Sequence, residues 1–302
     1  MADWKGVFPA VTTKMKQSGE IDLQATQKSI DRLISNGVSG IVVLPMLGEN
    51  ASLLPSEKEM VIRGAKEAIG GRVPLLSGLA ELSSEGAAKT AKTFEGYGAE
   101  GLMVFPSLGY KTDARETAAW YRNIAKACGI PIMIYNNPIA YGVDVTPDIL
   151  KDLADVPSIV CIKEETGDIR RITDMYNELG DRYRIFCGVD DLILESMALG
   201  ATGWVSGMTN AWPEECVAIF NLCAEGSFDE ARSLYRIMTP AFHLDVHVKL
   251  VQYIKLAEHL VCGSPEWTRA PRLPLVGPER ERVVGTIKQT IGKLQARGNI
   301  AA

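Results

Sequence analysis

The sequence lacks the features of exported, membrane-bound and nucleic-acid-binding proteins. Its first residues contain no basic segment followed by an apolar one, so no secretory signal is predicted. No later stretch approaches the roughly eighteen consecutive apolar residues that a membrane span requires. The formal net charge of -5 comes from interspersed acids and bases, which gives no basic surface for a phosphate backbone. We therefore expect a cytoplasmic protein that binds neither nucleic acid nor a membrane.

Cysteine and histidine are scarce, and their spacing argues against a metal centre or a disulfide framework. The chain has 6 cysteines and 3 histidines, and no Cys-x-x-Cys pair occurs. His243 and His247 could project from one helix face, but no third ligand follows at a suitable spacing. The sequence therefore predicts reduced thiols and no metal or other cofactor.

Short apolar runs alternate with longer stretches of helical period along the first two thirds of the chain. The runs become polar or rich in glycine and proline at their C-terminal ends. This alternation is typical of repeated βα units, whose parallel strands are buried on both faces. We therefore predict an α/β fold, a (β/α)8 TIM barrel, with functional residues at the C-terminal ends of its strands. The predicted strands are residues 6–12, 40–45, 73–79, 101–106, 131–137, 159–165, 183–189 and 203–208.

A short internal repeat supports this prediction. The segments Gly37-Val38-Ser39-Gly40, Gly98-Ala99-Glu100-Gly101 and Gly200-Ala201-Thr202-Gly203 each fall where a predicted helix ends and a strand begins. The first glycine suits the left-handed conformation beyond a helix end, and the second permits close packing between helix and strand. Copies at equivalent places indicate a repeated structural unit.

The character of the sequence changes after the eighth run. From about Pro213 onward it has helical period almost throughout. We predict that residues 1–225 form the catalytic barrel and that residues 226–302 form an appended C-terminal helical region. The expected helix breaks in this region lie near Gly226, Pro240, residues 263–274 and Gly277-Pro278.

Lys163 is the strongest candidate for a catalytic residue. The sixth predicted strand begins at Ile159, and alternation places Cys161 and Lys163 on one face. Lysine is seldom buried, so its ammonium there must be paired, or its pKa lowered so that the amine acts as a nucleophile. The structural alternative is an ion pair with Glu164 or Glu165, or a side chain that reaches solvent. Periodicity alone does not separate these interpretations.

Tyr135 is the candidate partner of Lys163. Alternation along the fifth predicted strand places Met133, Tyr135 and Asn137 on one face, and adjacent inward faces would bring Tyr135 beside Lys163. A phenol in that place can pass protons to a carbinolamine and to the substrate, as a Schiff-base reaction requires. The alternative is a core tyrosine whose hydroxyl donates to a backbone carbonyl. Asn137 shares the face and is a candidate substrate-binding residue.

Four motifs, taken in order, resemble the dihydrodipicolinate synthase and N-acetylneuraminate lyase superfamily. The resemblance extends from Trp4 to about Leu294. It implies a class I lyase in which Lys163 forms a Schiff base with a small 2-oxo acid and Tyr135 transfers protons. It also implies a homotetramer built as a dimer of dimers. The motifs are Gly48-Glu49, Tyr135-Asn136-Asn137-Pro138, Ile162-Lys163-Glu164-Glu165-Thr166-Gly167 and Gly188-Val189-Asp190-Asp191.

The resemblance also implies where the substrate carboxylate binds. The loop after the second strand would hold it, and the residues that end the eighth strand are expected to line the same pocket. The candidate substrate-binding residues of this part of the site are Met46, Leu47, Gly48, Glu49, Ser206 and Gly207.

Three departures from the synthase pattern change the expected substrate. The family's usual threonine in the second loop is missing, so only backbone amides near Leu47 and Gly48 remain for carboxylate binding. The arginine that follows the Tyr-Asn-x-Pro motif in true synthases is Ala140 here, which removes a bidentate contact. The tyrosine that a neighbouring subunit donates in the family could be Tyr110, which would need a shifted loop.

These departures disfavour lysine biosynthesis. The segment Leu47-Gly48-Glu49-Asn50, together with Tyr135-Asn136-Asn137-Pro138, resembles the 1-pyrroline-4-hydroxy-2-carboxylate deaminases of hydroxyproline breakdown. That reaction would release ammonia and 2,5-dioxopentanoate from a cyclic imine. A 2-keto-3-deoxy sugar acid dehydratase or aldolase and a dihydrodipicolinate synthase stay open as alternatives. An alternative of another class is a catalytically silent barrel that only binds a ligand, against which Lys163 and Tyr135 argue.

Overall fold

Eight parallel strands form one sheet in the computed structural model, which describes residues 2–300 and the side chains of residues 2–297. The hydrogen-bonded order is β1-β8-β7-β6-β5-β4-β3-β2. A bridge between Ala10 and Val42 joins the end of β1 to β2 and closes the barrel. The predicted (β/α)8 TIM barrel is therefore confirmed. The strands are β1 (Gly6–Pro9), β2 (Ile41–Val43), β3 (Leu75–Leu79), β4 (Gly101–Val104), β5 (Ile132–Asn136), β6 (Ile159–Glu164), β7 (Arg184–Cys187) and β8 (Gly203–Ser206).

Every strand lies within the run that predicted it, and all but β3 end before the run does. In β2 the cause is local, because Leu44 has a φ of 54° and the chain turns out of the sheet there. The residues beyond the strand ends instead form loops at one edge of the barrel. This edge carries the candidate functional residues.

Helices follow the strands and cover the outside of the barrel. Their first residues follow ordinary capping chemistry: the Ser83 side chain accepts from the N–H of Gly86, and Asp113 forms a capping box with Glu116. The helices are α1 (Leu23–Ser35), α2 (Pro55–Ile69), α3 (Ser84–Gly96), α4 (Ala114–Ala127), α5 (Pro138–Tyr141), α6 (Pro147–Asp152), α7 (Arg170–Leu179), α8 (Ile193–Ala198), α9 (Pro213–Ala224), α10 (Phe228–Phe242), α11 (Leu250–Cys262) and α12 (Gly277–Ile300).

The glycines of the internal repeat behave as predicted at the helix ends but differently at the strands. The first glycines of the copies have φ of 87°, 104° and 97°, in the left-handed region. The second glycines lie against aromatic rings instead of helices: a Cβ on Gly203 would lie 2.3 Å from the ring of Phe186. Phe186 packs edge to face on Phe8 with ring centroids 5.3 Å apart. These glycines therefore make room for the aromatic rings of Phe8, Trp4 and Phe186.

The chain after β8 is helical, and its helices pack on the barrel. Helix α9 is the eighth barrel helix, and buried side chains of α10, α11 and α12 join the apolar core of β1, β7 and β8. Pro240, an expected break, instead lies inside α10. A proline inside a helix lacks one hydrogen bond and its ring crowds the carbonyl four residues earlier, and α10 ends two residues after Pro240, at Phe242. Within the described residues, no helix combines the length and apolar character needed to cross a membrane.

Two buried ion pairs join α11 to loops at the C-terminal edge of the barrel. Lys14, after β1, pairs with Glu258, and Lys255 Nζ lies 2.5 Å from Glu49 Oε1 in the loop after β2. All four side chains are fully buried. Losing one partner of such a pair leaves a buried charge uncompensated, so the pairs fix α11 over this edge.

Candidate active site

A small cavity opens where the C-terminal ends of β5, β6 and β8 meet the loop after β2. Counted together with the open solvent at its mouth it measures about 320 Å³, and Lys163 is the basic side chain among its lining residues. The enclosed part has room for about one water molecule. The residues that line it are Ala10, Pro45, Met46, Leu47, Met103, Tyr135, Lys163, Glu165, Gly207, Asp245 and Leu250.

Lys163 and Tyr135 lie side by side in this cavity. They are direct partners in the register between β5 and β6, as the alternation on adjacent strands predicts. The Nζ of Lys163 lies 4.3 Å from the centre of the Tyr135 ring. Lys163 is 7% exposed and Tyr135 is 2% exposed, so both are largely shielded from bulk water. The two groups can therefore act on the same small ligand.

The amine of Lys163 is paired with Glu165. Its Nζ lies 2.6 Å from Glu165 Oε2, as the ion-pair alternative predicts. Burial alone would lower the pKa of Lys163, but the charges of Glu165, Asp245 and Asp190 outweigh this effect and raise the pKa above its ordinary value. The resting side chain is therefore an ammonium. It must transfer a proton, for which Glu165 is the nearest acceptor, before it can attack a carbonyl carbon.

Asn137 connects Tyr135 to Glu165 from behind the cavity wall. Its Nδ2 donates to the Tyr135 hydroxyl at 3.1 Å and to Glu165 Oε1 at 2.9 Å. Its Oδ1 accepts from the N–H of Ala140, which caps the short helix α5. Burial and the Glu165 charge raise the pKa of Tyr135 well above its ordinary value. The phenol therefore holds its proton at rest and is available as a donor.

The loop after β2 contributes Met46 and Leu47 to the cavity wall. Within the described residues, no group accepts a hydrogen bond from the N–H of Met46 or Leu47. The N–H of Gly48 instead donates to the carbonyl of Pro45 at 3.1 Å. The expectation of free amides near Leu47 and Gly48 is therefore corrected: the available donors are those of Met46 and Leu47.

Glu49, expected among the binding residues, points away from the cavity. Its Oε1 meets Lys255 Nζ at 2.5 Å, and its Oε2 accepts from the N–H of Arg269 at 2.9 Å. A φ of 58° turns the chain at Glu49, and the next residue, Asn50, donates to the carbonyl of Leu44 at 2.8 Å. Glu49 therefore anchors the loop to α11 and does not line the cavity, and neither does Gly48.

The two residues at the end of β8 differ in their positions. Gly207 lines the cavity, and a Cβ there would lie 2.4 Å from Asp245 Oδ1. Ser206 is fully buried, and its Oγ accepts from the N–H of Thr209 at 3.0 Å, outside the cavity wall. Gly207 therefore keeps its expected place, while Ser206 supports the turn after the strand.

Tyr110 does not reach the cavity of its own chain. It is 61% exposed, and its hydroxyl donates to Glu116 Oε1 at 3.0 Å. The role foreseen for it, donation to the site of a neighbouring subunit, stays a prediction.

Three side chains of the site were not expected to act in it. Asp245 lines the cavity from the segment between α10 and α11. Asp190 is fully buried near Lys163 and accepts from Trp204 Nε1 at 3.0 Å and from the N–H of Met208 at 2.7 Å. Burial raises the pKa of Asp190 to about 6. Tyr141 packs on Tyr135 with ring centroids 5.7 Å apart.

The sequence offered a signal for two of these residues. Asp190 belongs to the motif after β7, and Tyr141 follows the motif after β5. Asp245 carries no such signal, because it lies between two histidines in a stretch whose path depends on how α10 and α11 pack.

The fold and the cavity define the class of protein: a (β/α)8 barrel with a buried lysine beside a tyrosine at its strand ends. The sequence pattern of the dihydrodipicolinate synthetase family matches residues 3–290, and the chain belongs to this family. The protein is therefore an enzyme of the class I aldolase type, a lyase.

Individual relatives agree with this placement. The chain is 33% identical over 240 residues to a 4-hydroxy-tetrahydrodipicolinate synthase of Syntrophobacter fumaroxidans, covering 80% of this chain and 82% of that protein. It is 29% identical over 261 residues to a probable 2-dehydro-3-deoxy-D-pentonate aldolase of Escherichia coli, covering 84% and 87%.

Solved structures agree as well. The 4-hydroxy-tetrahydrodipicolinate synthase of Methylacidiphilum fumariolicum superposes with a TM-score of 0.93 at 27% identity, covering 97% of this chain and 98% of that one. The dihydrodipicolinate synthase of Acinetobacter baumannii, solved in complex with pyruvate, gives a TM-score of 0.89 at 26% identity, covering 95% and 98%.

Proposed function

We propose that Lys163 forms a Schiff base with C2 of a small 2-oxo acid or of its cyclic imine. The observation that carries this proposal is the shared cavity of Lys163 and Tyr135, with Glu165 2.6 Å from the amine. Glu165 takes the ammonium proton, the free amine attacks C2, and the Tyr135 hydroxyl donates to the oxygen or nitrogen that leaves.

The substrate carboxylate binds at the loop after β2 in this proposal. We take the N–H groups of Met46 and Leu47 as the donors, because both residues line the cavity and neither N–H has an acceptor among the described residues. Adjacent backbone amides can hold a carboxylate without a basic side chain. This places C2 of the substrate between the loop and Lys163.

We propose 1-pyrroline-4-hydroxy-2-carboxylate as the substrate, converted to 2,5-dioxopentanoate and ammonia. Lys163 replaces the ring nitrogen at C2, a C3 proton is removed, and the 4-hydroxyl leaves as water, which creates a C3=C4 bond. This bond then isomerises to C5=N: C5 and its nitrogen each lose a proton, and C3 and C4 each gain one. Hydrolysis of the imines at C2 and C5 then gives 2,5-dioxopentanoate, ammonia and the free Lys163 amine. The side chains of Leu47 and Ala140 support a short substrate, because neither supplies a hydroxyl or a guanidinium for a second carboxylate.

A 2-keto-3-deoxy sugar acid is the second candidate substrate. The similarity to a probable 2-dehydro-3-deoxy-D-pentonate aldolase over 84% of this chain favours it. Condensation of pyruvate with aspartate semialdehyde is the third candidate, which the names of the synthase relatives favour.

Borohydride trapping tests the Schiff base. With pyruvate present, we expect reduction to attach the ligand to the peptide that contains Lys163, as mass spectrometry would show. Lys163→Ala should abolish the adduct, whereas Lys151→Ala, at an exposed lysine of α6, should not. An adduct on another residue, or none with any 2-oxo acid tried, would refute the proposal.

A panel of substrates tests the reaction. We expect ammonia release from the hydroxyproline-derived pyrroline and weaker turnover of 2-keto-3-deoxy acids. If kcat/KM is higher for the release of pyruvate from a 2-keto-3-deoxy acid than for any other substrate of the panel, the enzyme is an aldolase and not a deaminase. If condensation of pyruvate with aspartate semialdehyde has the highest kcat/KM, the enzyme is a synthase. Binding of all ligands without turnover would favour the silent barrel.

We also propose a cytoplasmic homotetramer, built as a dimer of dimers, in which Tyr110 approaches the cavity of a neighbouring subunit. Large exposed apolar side chains on the loop after β3 and on α5 support an interface there: Leu82 is 69% exposed and Ile139 82%. Light scattering after gel filtration should give four times the chain mass. If Tyr110 acts across the interface, mixing inactive Tyr110→Phe and Lys163→Ala chains should restore activity, because a mixed oligomer contains sites with both native residues. A fully active monomer would contradict the proposed role of Tyr110 across an interface.

A further inference from the structure

The segment between α10 and α11 contributes to the wall of the cavity. Its two valines face solvent, since Val246 is 56% exposed and Val248 91% exposed. Asp245, in contrast, turns inward and lines the cavity together with Lys163 and Tyr135. The segment therefore places the Asp245 carboxylate in the site, although it is not part of a barrel strand or of the loop that follows one.

The position of Asp245 is fixed by close packing on β8. A Cβ on Gly207 would come within 2.4 Å of Asp245 Oδ1, so the carboxylate rests directly on the backbone at the end of β8. Asp245 lines the same cavity as Lys163 and Tyr135, and its charge is close enough to raise the pKa of Lys163.

The other acids near Lys163 already have partners. Glu165 is held by Lys163 and by Asn137 at 2.9 Å, and Asp190 accepts from Trp204 and from the N–H of Met208. Across the described part of the chain, no donor is hydrogen-bonded to the Asp245 carboxylate. Burial, followed by the charges of Asp190 and Glu165, raises the pKa of Asp245 well above its ordinary value. The raised pKa favours the neutral carboxyl of Asp245 at rest. The positive charge of Lys163 acts in the opposite direction and persists in the iminium, so it favours the carboxylate form that can accept a proton.

We propose that Asp245 is the acid–base residue that moves the C3 proton of the substrate bound to Lys163. This inference rests on the Schiff base proposed above. In the step, the Asp245 carboxylate takes a proton from C3, and the C3–H electron pair forms the C2=C3 bond of an enamine. The electrons of the C2=N bond return to nitrogen, which loses its positive charge, and Asp245 becomes a neutral carboxyl. The reverse step returns the proton to C3.

Deuterium exchange isolates this step from the rest of the reaction. With pyruvate in D2O, the iminium on Lys163 must release methyl protons, so NMR should show enzyme-dependent loss of the methyl signal. In Asp245→Asn we expect the exchange rate to fall about 100-fold, while borohydride trapping on Lys163 persists. Asp229→Asn is the control: it removes an exposed carboxylate of α10, which pairs with Arg232 outside the cavity, and should exchange at the native rate.

A second variant guards against a merely structural effect. Asp245→Ala leaves a gap beside Gly207, and added formate should restore part of its exchange by supplying a small carboxylate there. Exchange in Asp245→Asn within about tenfold of the native rate would overturn the role of Asp245. A native enzyme that forms the adduct but exchanges no deuterium would overturn it as well. A native enzyme that forms no adduct would instead refute the Schiff base.

Discussion

At the scale of single residues, the Lys163 ammonium carries its proton at rest because Glu165 lies 2.6 Å from it. Burial, acting alone, would have lowered the pKa of Lys163, and the neighbouring carboxylates reverse that effect. Deprotonation of Lys163 is thus the first step that pH controls in the proposed reaction. The rate of Schiff-base formation should rise with pH through the pKa of this group.

Replacing Glu165 tests this account. Glu165→Gln removes the closest negative charge, so the ammonium loses stabilisation and its pKa falls. We expect the midpoint of the pH profile of borohydride trapping to move down by about 1 to 3 units. Glu164→Gln is the matched control, because Glu164 lies outside the cavity, bound to Asn136 and to the N–H of Thr166. A midpoint that stays in place or moves up in Glu165→Gln would contradict the account.

Alternation along two strands was enough to predict the pairing of Lys163 with Tyr135, because neighbouring inward positions of parallel strands come together in any barrel. The same reasoning could not identify Asp245. Its place in the cavity depends on packing of α10 and α11, which no local pattern encodes. Glu49 shows the reverse case. Its motif predicted substrate binding, but its side chain pairs with Lys255, which is 206 positions later in the chain, and no local pattern predicts that contact.

At the scale of elements, α11 holds the substrate loop through Lys255 and Glu49. Lys255→Met leaves the buried Glu49 carboxylate without its ammonium, although the N–H of Arg269 still donates to it and Arg272 Nη1 lies 3.5 Å from its Oε2. We expect the free energy of unfolding, measured in urea, to fall by about 3 kcal/mol. The exposed Lys151→Met should change it by less than about 0.5 kcal/mol.

A double-mutant cycle separates the charge from the packing. In Glu49→Gln with Lys255→Met, no buried charge remains at this pair, so the double variant should lose less stability than the sum of the single ones. Additive losses would show that the pair contributes only by packing. The apparent affinity for pyruvate should weaken in Lys255→Met as well, because the loop that presents Met46 and Leu47 loses its anchor.

The elements themselves were more predictable than their contacts. The eight apolar runs located all strands, since strands buried on both faces carry continuous apolar sequence. The second glycines of the repeat were assigned to helix packing, yet they face aromatic rings inside the barrel. A glycine at a regular position in a repeat predicts that another group packs closely against the backbone there. Which group packs there depends on how the sheet closes into a barrel, and the repeat does not show that.

At the scale of the whole molecule, the C-terminal helices and the barrel share one core. Apolar side chains from Val7 on β1 to Ile287 on α12 belong to the same cluster. The ion pairs of Lys14 and Lys255 cross the predicted boundary after residue 225, and Asp245 enters the cavity from beyond it. The described part of the C-terminal region, residues 226–300, therefore packs as part of the barrel's core, even though the (β/α)8 pattern ends before it.

A chain that ends at residue 225 should not fold by itself. It would expose the apolar face that α10, α11 and α12 cover, and it would leave the charges of Lys14 and Glu49 without their partners. We expect an insoluble product, or a soluble one without a cooperative thermal transition by circular dichroism. A chain that ends at residue 297 serves as the control and should unfold at the temperature of the full protein. If the shorter chain unfolds cooperatively with a similar Tm, the barrel is an independent folding unit and the helical region is a true appendage.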